Sequence, residues 1–266
     1  MVLQAARFVG SVPENYDHGL GPHIFEGFAA DIAQRVAYCK PASVLELAAG
    51  TGIVTRALRD ALPDEVALLA SDLNEPMLAV ARRKFADTEA VEFTQADATA
   101  LNLDDATFDV VACQFGVMFF PDKQRSYSEV LRVLKPGGKY IFNCWGSPQE
   151  NPFARIAQDL VEEMFPADPP GFYKVPFGYN DAAAITAALE SVGFTDVYTE
   201  TVALTSKILS AERFARGLVF GNPLHEEILA RDGDAEQVCT RLEGELAQGL
   251  GDEMPLQALL VEAGRG

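Results

Sequence analysis

Val44-Leu45-Glu46-Leu47-Ala48-Ala49-Gly50-Thr51-Gly52-Ile53-Val54-Thr55-Arg56-Ala57-Leu58 decides the fold. Val44 to Leu47 reads as a buried strand, the small residues as a tight turn, and the remainder as a helix that Pro63 ends. Gly50 and Gly52 permit φ > 0 and a close approach of ligand to backbone. The first N–H groups of the helix point into the same space and suit a polar ligand. Glu46 is a carboxyl inside an apolar strand, four residues before Gly50. It calls for a cationic or donating ligand group rather than a pyrophosphate. Thr55 stands where a dinucleotide fingerprint needs its third glycine, which counts against a nicotinamide-dependent oxidoreductase.

The next strands repeat the pattern. Val66 to Asp72 is an apolar run ending in an acid, at the separation from Gly50 of a ribose-binding carboxylate. Pro76 opens the following helix. Val91 to Gln95 is a third strand, followed by Ala96-Asp97-Ala98. Phe108 to Phe115 is a deeply apolar fourth strand with Gln114 and Phe115 at its end. Then comes Ser126-x-x-Glu129-Val130-Leu131-Arg132-Val133-Leu134-Lys135-Pro136-Gly137-Gly138, a helix stopped by proline and turned by glycines, before a fifth strand from Lys139 to Trp145.

The motif around Gly50, the acids after successive strands and the Leu-Lys-Pro-Gly-Gly junction resemble the class I, Rossmann-like S-adenosyl-L-methionine-dependent methyltransferases. Within them the resemblance is to the small-molecule type, such as the ubiquinone and menaquinone biosynthesis methyltransferases. Ala48 takes the place of the first glycine of their E-x-G-x-G-x-G motif. The resemblance spans roughly residues 40–145. It implies an α/β fold: a doubly wound, mostly parallel seven-stranded sheet with an antiparallel last strand and helices on both faces. It also implies a division into residues 1–40 as arm and helix covering the cofactor site, 41–150 as cofactor-binding core, and 151–266 as completion of the sheet with helical insertions over the substrate. As cofactor contacts it carries over Glu46, Ala48, Gly50 and Gly52 of the first motif, Asp72 for the ribose hydroxyls, and Asp97 and Ala98 for the adenine. Leu73 and Met77 would flank that ring, Gln114 would lie beside the transfer point, and Tyr16 of the arm near the methionine end.

Residues 1–22 contain Pro13, Gly19, Gly21 and Pro22 and read as an irregular arm; His23 to Val36 has helical spacing. Beyond Trp145 we expect helices over Asn151–Phe165, Asp181–Ser191, Ala211–Val219 and Pro223–Leu246, and strands over Phe194–Leu204 and Leu256–Glu262. The helices between those last strands should cover the active-site face. His18, one of three histidines, is the first candidate general base. Phe115, Phe119, Trp145, Phe172 and Tyr173 are candidate walls for the methyl acceptor.

Composition limits the partners. The 266 residues include 21 Lys+Arg against 39 Asp+Glu, a formal charge of −18, and that field disfavours nucleic acid. The densest basic run, Arg82-Arg83-Lys84, reads as a solvated helix face. No Asp/Asn-Pro-Pro-Tyr/Phe follows the fourth strand and no Pro-Cys nucleophile occurs, so amino groups of adenine, protein amides and pyrimidine carbons are poor candidates. Cys39, Cys113, Cys144 and Cys239 are far apart and show no metal spacing, which predicts a cytoplasmic protein with no metal. Met1 to Gly10 lacks the apolar core of a signal peptide, and no run spans a bilayer. The expectation is a small, largely apolar acceptor methylated at O, N or C, with a homodimer allowed. A nicotinamide enzyme, or a protein that binds the sulfonium without transferring its methyl, stays open.

Overall fold

A computed structural model describes residues 8, 10 and 12–266. The remaining residues before Val12, including most of the stretch read for a signal peptide, lie outside the described part. Seven strands form one sheet: β1 (Ser43–Leu47), β2 (Ala67–Asp72), β3 (Val91–Gln95), β4 (Phe108–Gln114), β5 (Leu134–Trp145), β6 (Phe194–Lys207) and β7 (Glu253–Arg265). Their order is β3-β2-β1-β4-β5-β7-β6. β1 to β5 are parallel, and β7 runs antiparallel between β5 and β6. Strand order reverses at β1, which has β2 on one side and β4 on the other. Ligands of open α/β sheets sit at the carboxyl ends beside such a point.

Period-two alternation sorts the core into two layers. Val44 of β1, Val110 and Ala112 of β4, Ile141 of β5 and Leu260 of β7 face one way. There they pack on α2 (Glu26–Tyr38) through Ile32 and Val36 and on α3 (Ile53–Ala61) through Val54 and Leu58. Leu45, Leu47, Val111, Tyr140, Phe142 and Val261 face the other way. On that side lie α5 (Lys123–Val133), α6 (Pro152–Met164) and α7 (Ala182–Val192). α4 (Glu75–Arg82) carries Leu78 onto Ala49 and Ala70. Asp181 caps α7 through the Ala183 and Ala184 N–H groups, and Gly193 closes it at φ 110°.

Two expectations need correction. From Val12 on, the stretch before His23 is not irregular: α1 spans Val12–Gly19, and a π-helical turn over Gly21–Phe25 leads into α2. Second, the helix read over Pro223–Leu246 is broken. α8 (Ala211–Phe220) is followed by α9 (Leu224–Leu229) and α10 (Ala235–Leu250), and Asp234 caps α10 through the Glu236 and Gln237 N–H groups. Asp232-Gly233-Asp234 supplies the break, with Asp232 at φ 52°.

α1 is fixed by its neighbours. A side chain at Gly19 would place its Cβ 2.6 Å from the Gly217 Cα, so α1 and α8 touch backbone to backbone. On the other flank Glu14 pairs with Arg83 and Asp17 with Lys84. Arg82 and Arg83 are exposed, as a solvated face would be, and the pairs made by Arg83 and Lys84 also tie α1 to the end of α4. No described helix is long and apolar enough to cross a membrane.

Candidate functional site

The turn after β1 is the floor of a cleft open to solvent. Leu47, Ala48 and Gly50 come from the end of β1, Ser71, Asp72 and Leu73 from β2, Ala96 to Ala98 from β3, and Gln114 and Phe115 from β4. Met77 of α4, Tyr16 of α1 and Phe8 roof it. Four consecutive strand ends thus converge on one space, as parallel βα units require.

Asp72 is 7% exposed. Its Oδ2 accepts the Gly50 N–H at 2.8 Å, and its Oδ1 accepts the Asn74 N–H at 2.7 Å. These bonds hold the carboxylate at the lip of the glycine turn. Burial raises its pKa above the usual carboxylate range, and the donating N–H groups oppose that shift. Asp97 is exposed, and its Oδ1 is taken by the Thr99 N–H and hydroxyl at 2.8 and 2.7 Å in a local turn.

Glu46 and Gly52 stand behind the lining. Glu46 is 1% exposed, and its Oε2 has no hydrogen-bond partner. Burial pushes its carboxyl up to about 8, opposed by the Thr55 hydroxyl and N–H and reinforced by the nearby Asp72. Gly52 sits at φ 80°, and a Cβ there would come within 2.8 Å of Ala81 Cβ, so glycine lets α3 pack on α4. Ala48 and Phe115 hold φ 52° and 51° at the ends of neighbouring strands. Left-handed backbone at residues other than glycine is strained and gathers at functional sites. Ala48→Gly relieves that strain; we expect the variant to be about 1 kcal/mol more stable, read as a higher urea midpoint.

A second, apolar cavity adjoins the cleft and shares Phe8, Tyr16, Phe115 and Phe119 with it. Its walls are aromatic. Phe115 stacks on Trp145 with ring centroids 3.9 Å apart, and Trp145 stacks on Phe177 at 5.6 Å. Tyr16 stacks on Phe25 at 4.9 Å. Phe172 and Tyr173 close one side, and Leu218 and Asn222 bring the α8 region into the wall. No carboxylate, amine, guanidinium or imidazole lines this cavity among the described residues.

The sequence-predicted residues Tyr16, Ala48, Gly50, Asp72, Leu73, Met77, Asp97, Ala98 and Gln114 all line the cleft, and Trp145 and Tyr173 line the cavity beyond. His18 does not. It is exposed, in a shallow depression with Glu14, Arg213 and Arg216 on the outer side of α1. Two residues along a helix turn roughly 200°, so Tyr16 facing the cleft sends His18 away from it. Reading the sequence missed Phe8, Asn74, Phe25 and Asn222. Asn74 alone carried a local signal, as an amide two residues after the acid of β2.

No described group of three or more His, Cys, Asp or Glu side chains is placed to hold a metal.

A sheet of this order, with acids at its carboxyl rim and an apolar chamber beside them, is the architecture of class I, Rossmann-like methyltransferases. Residues 44–138 match the family described as methyltransferase domain, and this segment is such a domain. Over 117 residues the chain is 41% identical to the demethylmenaquinone methyltransferase of Clavibacter sepedonicus, covering 44% of this chain and 46% of that protein. Over 140 residues it is 34% identical to the demethylmenaquinone methyltransferase of Thermus thermophilus, covering 52% and 61%. The chain thus spans about half the length of the curated relatives it matches. Haemonchus contortus phosphoethanolamine N-methyltransferase 2, solved with S-adenosyl-L-methionine, shares the fold at TM-score 0.62 and 17% identity, over 99% of this chain and 59% of that one.

Proposed function

We propose that this chain is an S-adenosyl-L-methionine-dependent methyltransferase acting on a small, largely apolar ring compound. The observation that carries the reading is the pair of joined spaces: an acid-rimmed cleft opening past Phe115 and Phe119 into an aromatic chamber. The cleft suits the cofactor. Asp72 faces the ribose hydroxyls, and Leu73, Met77, Asp97 and Ala98 receive the adenine; Glu46, buried behind this lining with its Oε2 orphaned, answers the amino group of the methionine end. When bound, the sulfonium supplies an electrophilic methyl. The chain's own work is to hold an acceptor against that methyl and keep water out, and positioning of this kind supplies much of a transfer rate.

The described part of residues 1–40 roofs the site through Phe8 and Tyr16, 41–150 hold the cofactor, and 151–266 complete the sheet and shape the acceptor chamber. The matched segment, 44–138, ends before Trp145, Phe172, Tyr173, Phe177 and Leu218. The quinone-related acceptors named for the relatives therefore suggest a flat ring, while the walls that choose it belong to this chain. Free, separated cysteines suit the cytoplasm.

The test is turnover. With cofactor and a panel of flat acceptors, including demethylmenaquinone analogues, S-adenosylhomocysteine and a methylated product should form in equal amounts. Demethylated cofactor without methylated acceptor, or no binding of the cofactor at all, rejects the reading.

A further inference from the structure

Gln114 ends β4 at the lip of the cleft, beside the Phe115 wall that separates cleft from chamber. Its Nε2 donates to the Phe25 carbonyl at 3.3 Å, and Phe25 is itself a chamber wall. That bond sets the orientation of the amide. Its Oε1 is then left out of contact with solvent and without any hydrogen-bond partner. An amide oxygen in that state costs about 1–3 kcal/mol, which a ligand donor would recover.

Two polar side chains of the chamber, Tyr173 and Asn222, are already committed. The Tyr173 hydroxyl donates to the Leu218 carbonyl at 2.9 Å. Asn222 donates to the same carbonyl at 2.8 Å and accepts the Leu224 N–H at 2.9 Å. An anionic acceptor would meet no counter-charge among aromatic rings and would be rejected by its desolvation cost.

We infer that Gln114 selects the acceptor: its amide oxygen, at the cleft side of Phe115, receives a hydrogen bond from an O–H or N–H on an uncharged, flat ring that reaches from the aromatic chamber into the cleft. The inference rests on the methyltransferase reading above and assigns Gln114 to the acceptor rather than to the cofactor. An amide oxygen is no base, so Gln114 fixes position and identity and takes no proton.

The test uses the full chain with S-adenosylhomocysteine bound, so binding of that nucleoside checks the underlying reading first. Two matched pairs then probe the chamber by calorimetric titration: indole against benzofuran for N–H, and 2-naphthol against naphthalene for O–H. Wild type should prefer a donor-bearing member by roughly five- to tenfold. Gln114→Leu and Gln114→Met should lose that preference while binding S-adenosylhomocysteine within about twofold of wild type. Two variants guard against one failing to fold, which thermal unfolding reports. The pair that shows the preference distinguishes a hydroxyl from an N–H acceptor. The inference is overturned if wild type binds no probe or shows no preference in either pair. It is also overturned if both folded variants keep the preference, or if they lose S-adenosylhomocysteine affinity along with it.

Discussion

Asp72→Ala should bind S-adenosylhomocysteine roughly 100-fold more weakly than the wild type, a loss of about 3 kcal/mol. The side chain is buried at the lip of the turn, with one oxygen on the Gly50 N–H and the other on the Asn74 N–H. Carboxylate oxygens have lone pairs beyond those bonds, and ribose hydroxyls reaching the lip would use them. Removing the group deletes charge-assisted bonds to the ribose and also leaves the Gly50 N–H without its partner, so the cradle loosens as the contact goes. The two effects add in the same direction. Calorimetric titration of the folded variant decides the matter: affinity within about threefold of wild type would show that β2 presents some other residue to the ribose.

The sheet was legible because each parallel strand announces itself. A run such as Phe108-Asp109-Val110-Val111-Ala112-Cys113 is buried on both faces and can form little else, and the acids follow the runs at its rim. The rim of the cleft was legible for the same reason, since βα units deliver those acids to one edge. The arm was not. Pro13, Gly19, Gly21 and Pro22 read as helix breakers when only local propensity is weighed. Gly19 in fact lets α1 lie directly on Gly217, a contact some two hundred residues away in the chain. Tertiary packing turned a breaker into a docking point, and no local pattern encodes that. His18 failed for a related reason: once the arm is helical, only the face carrying Tyr16 reaches the cleft. The aromatic chamber was half legible. Its aromatics stood out, but which of them meet depends on how α6, α8 and the 172–177 segment fold back over β5.

The arm's ion pairs make a minor contribution beside the charge at the heart of the site. Glu46→Gln should stabilise the empty protein and weaken the cofactor complex, with both effects growing as pH rises. Burial lifts the Glu46 carboxyl from 4.5 to about 8. A folded-state pKa above the unfolded one means that the native state holds a proton the unfolded state has released. The associated stability is fully present below pH 4.5 and is lost as pH climbs to about 8, where the carboxylate is ionised with its Oε2 unpartnered. Glutamine keeps the shape and never ionises. The gap in unfolding free energy between variant and wild type should therefore open above pH 4.5 and level off past about 8, at a size on the order of a few kcal/mol. Cofactor reverses the sign. An ammonium group beside Glu46 favours the carboxylate, so binding to wild type should expel a proton near neutral pH and tighten as pH rises toward 8. Titrations in buffers of different ionisation enthalpy read that proton directly. Glu46→Gln should show no such release and should bind at least roughly tenfold more weakly at pH 8, because an amide replaces an ion-pair partner. Proton release that persists in Glu46→Gln would assign the linkage to another group. Equal affinity of the two proteins would leave the buried carboxyl without a ligand to explain it.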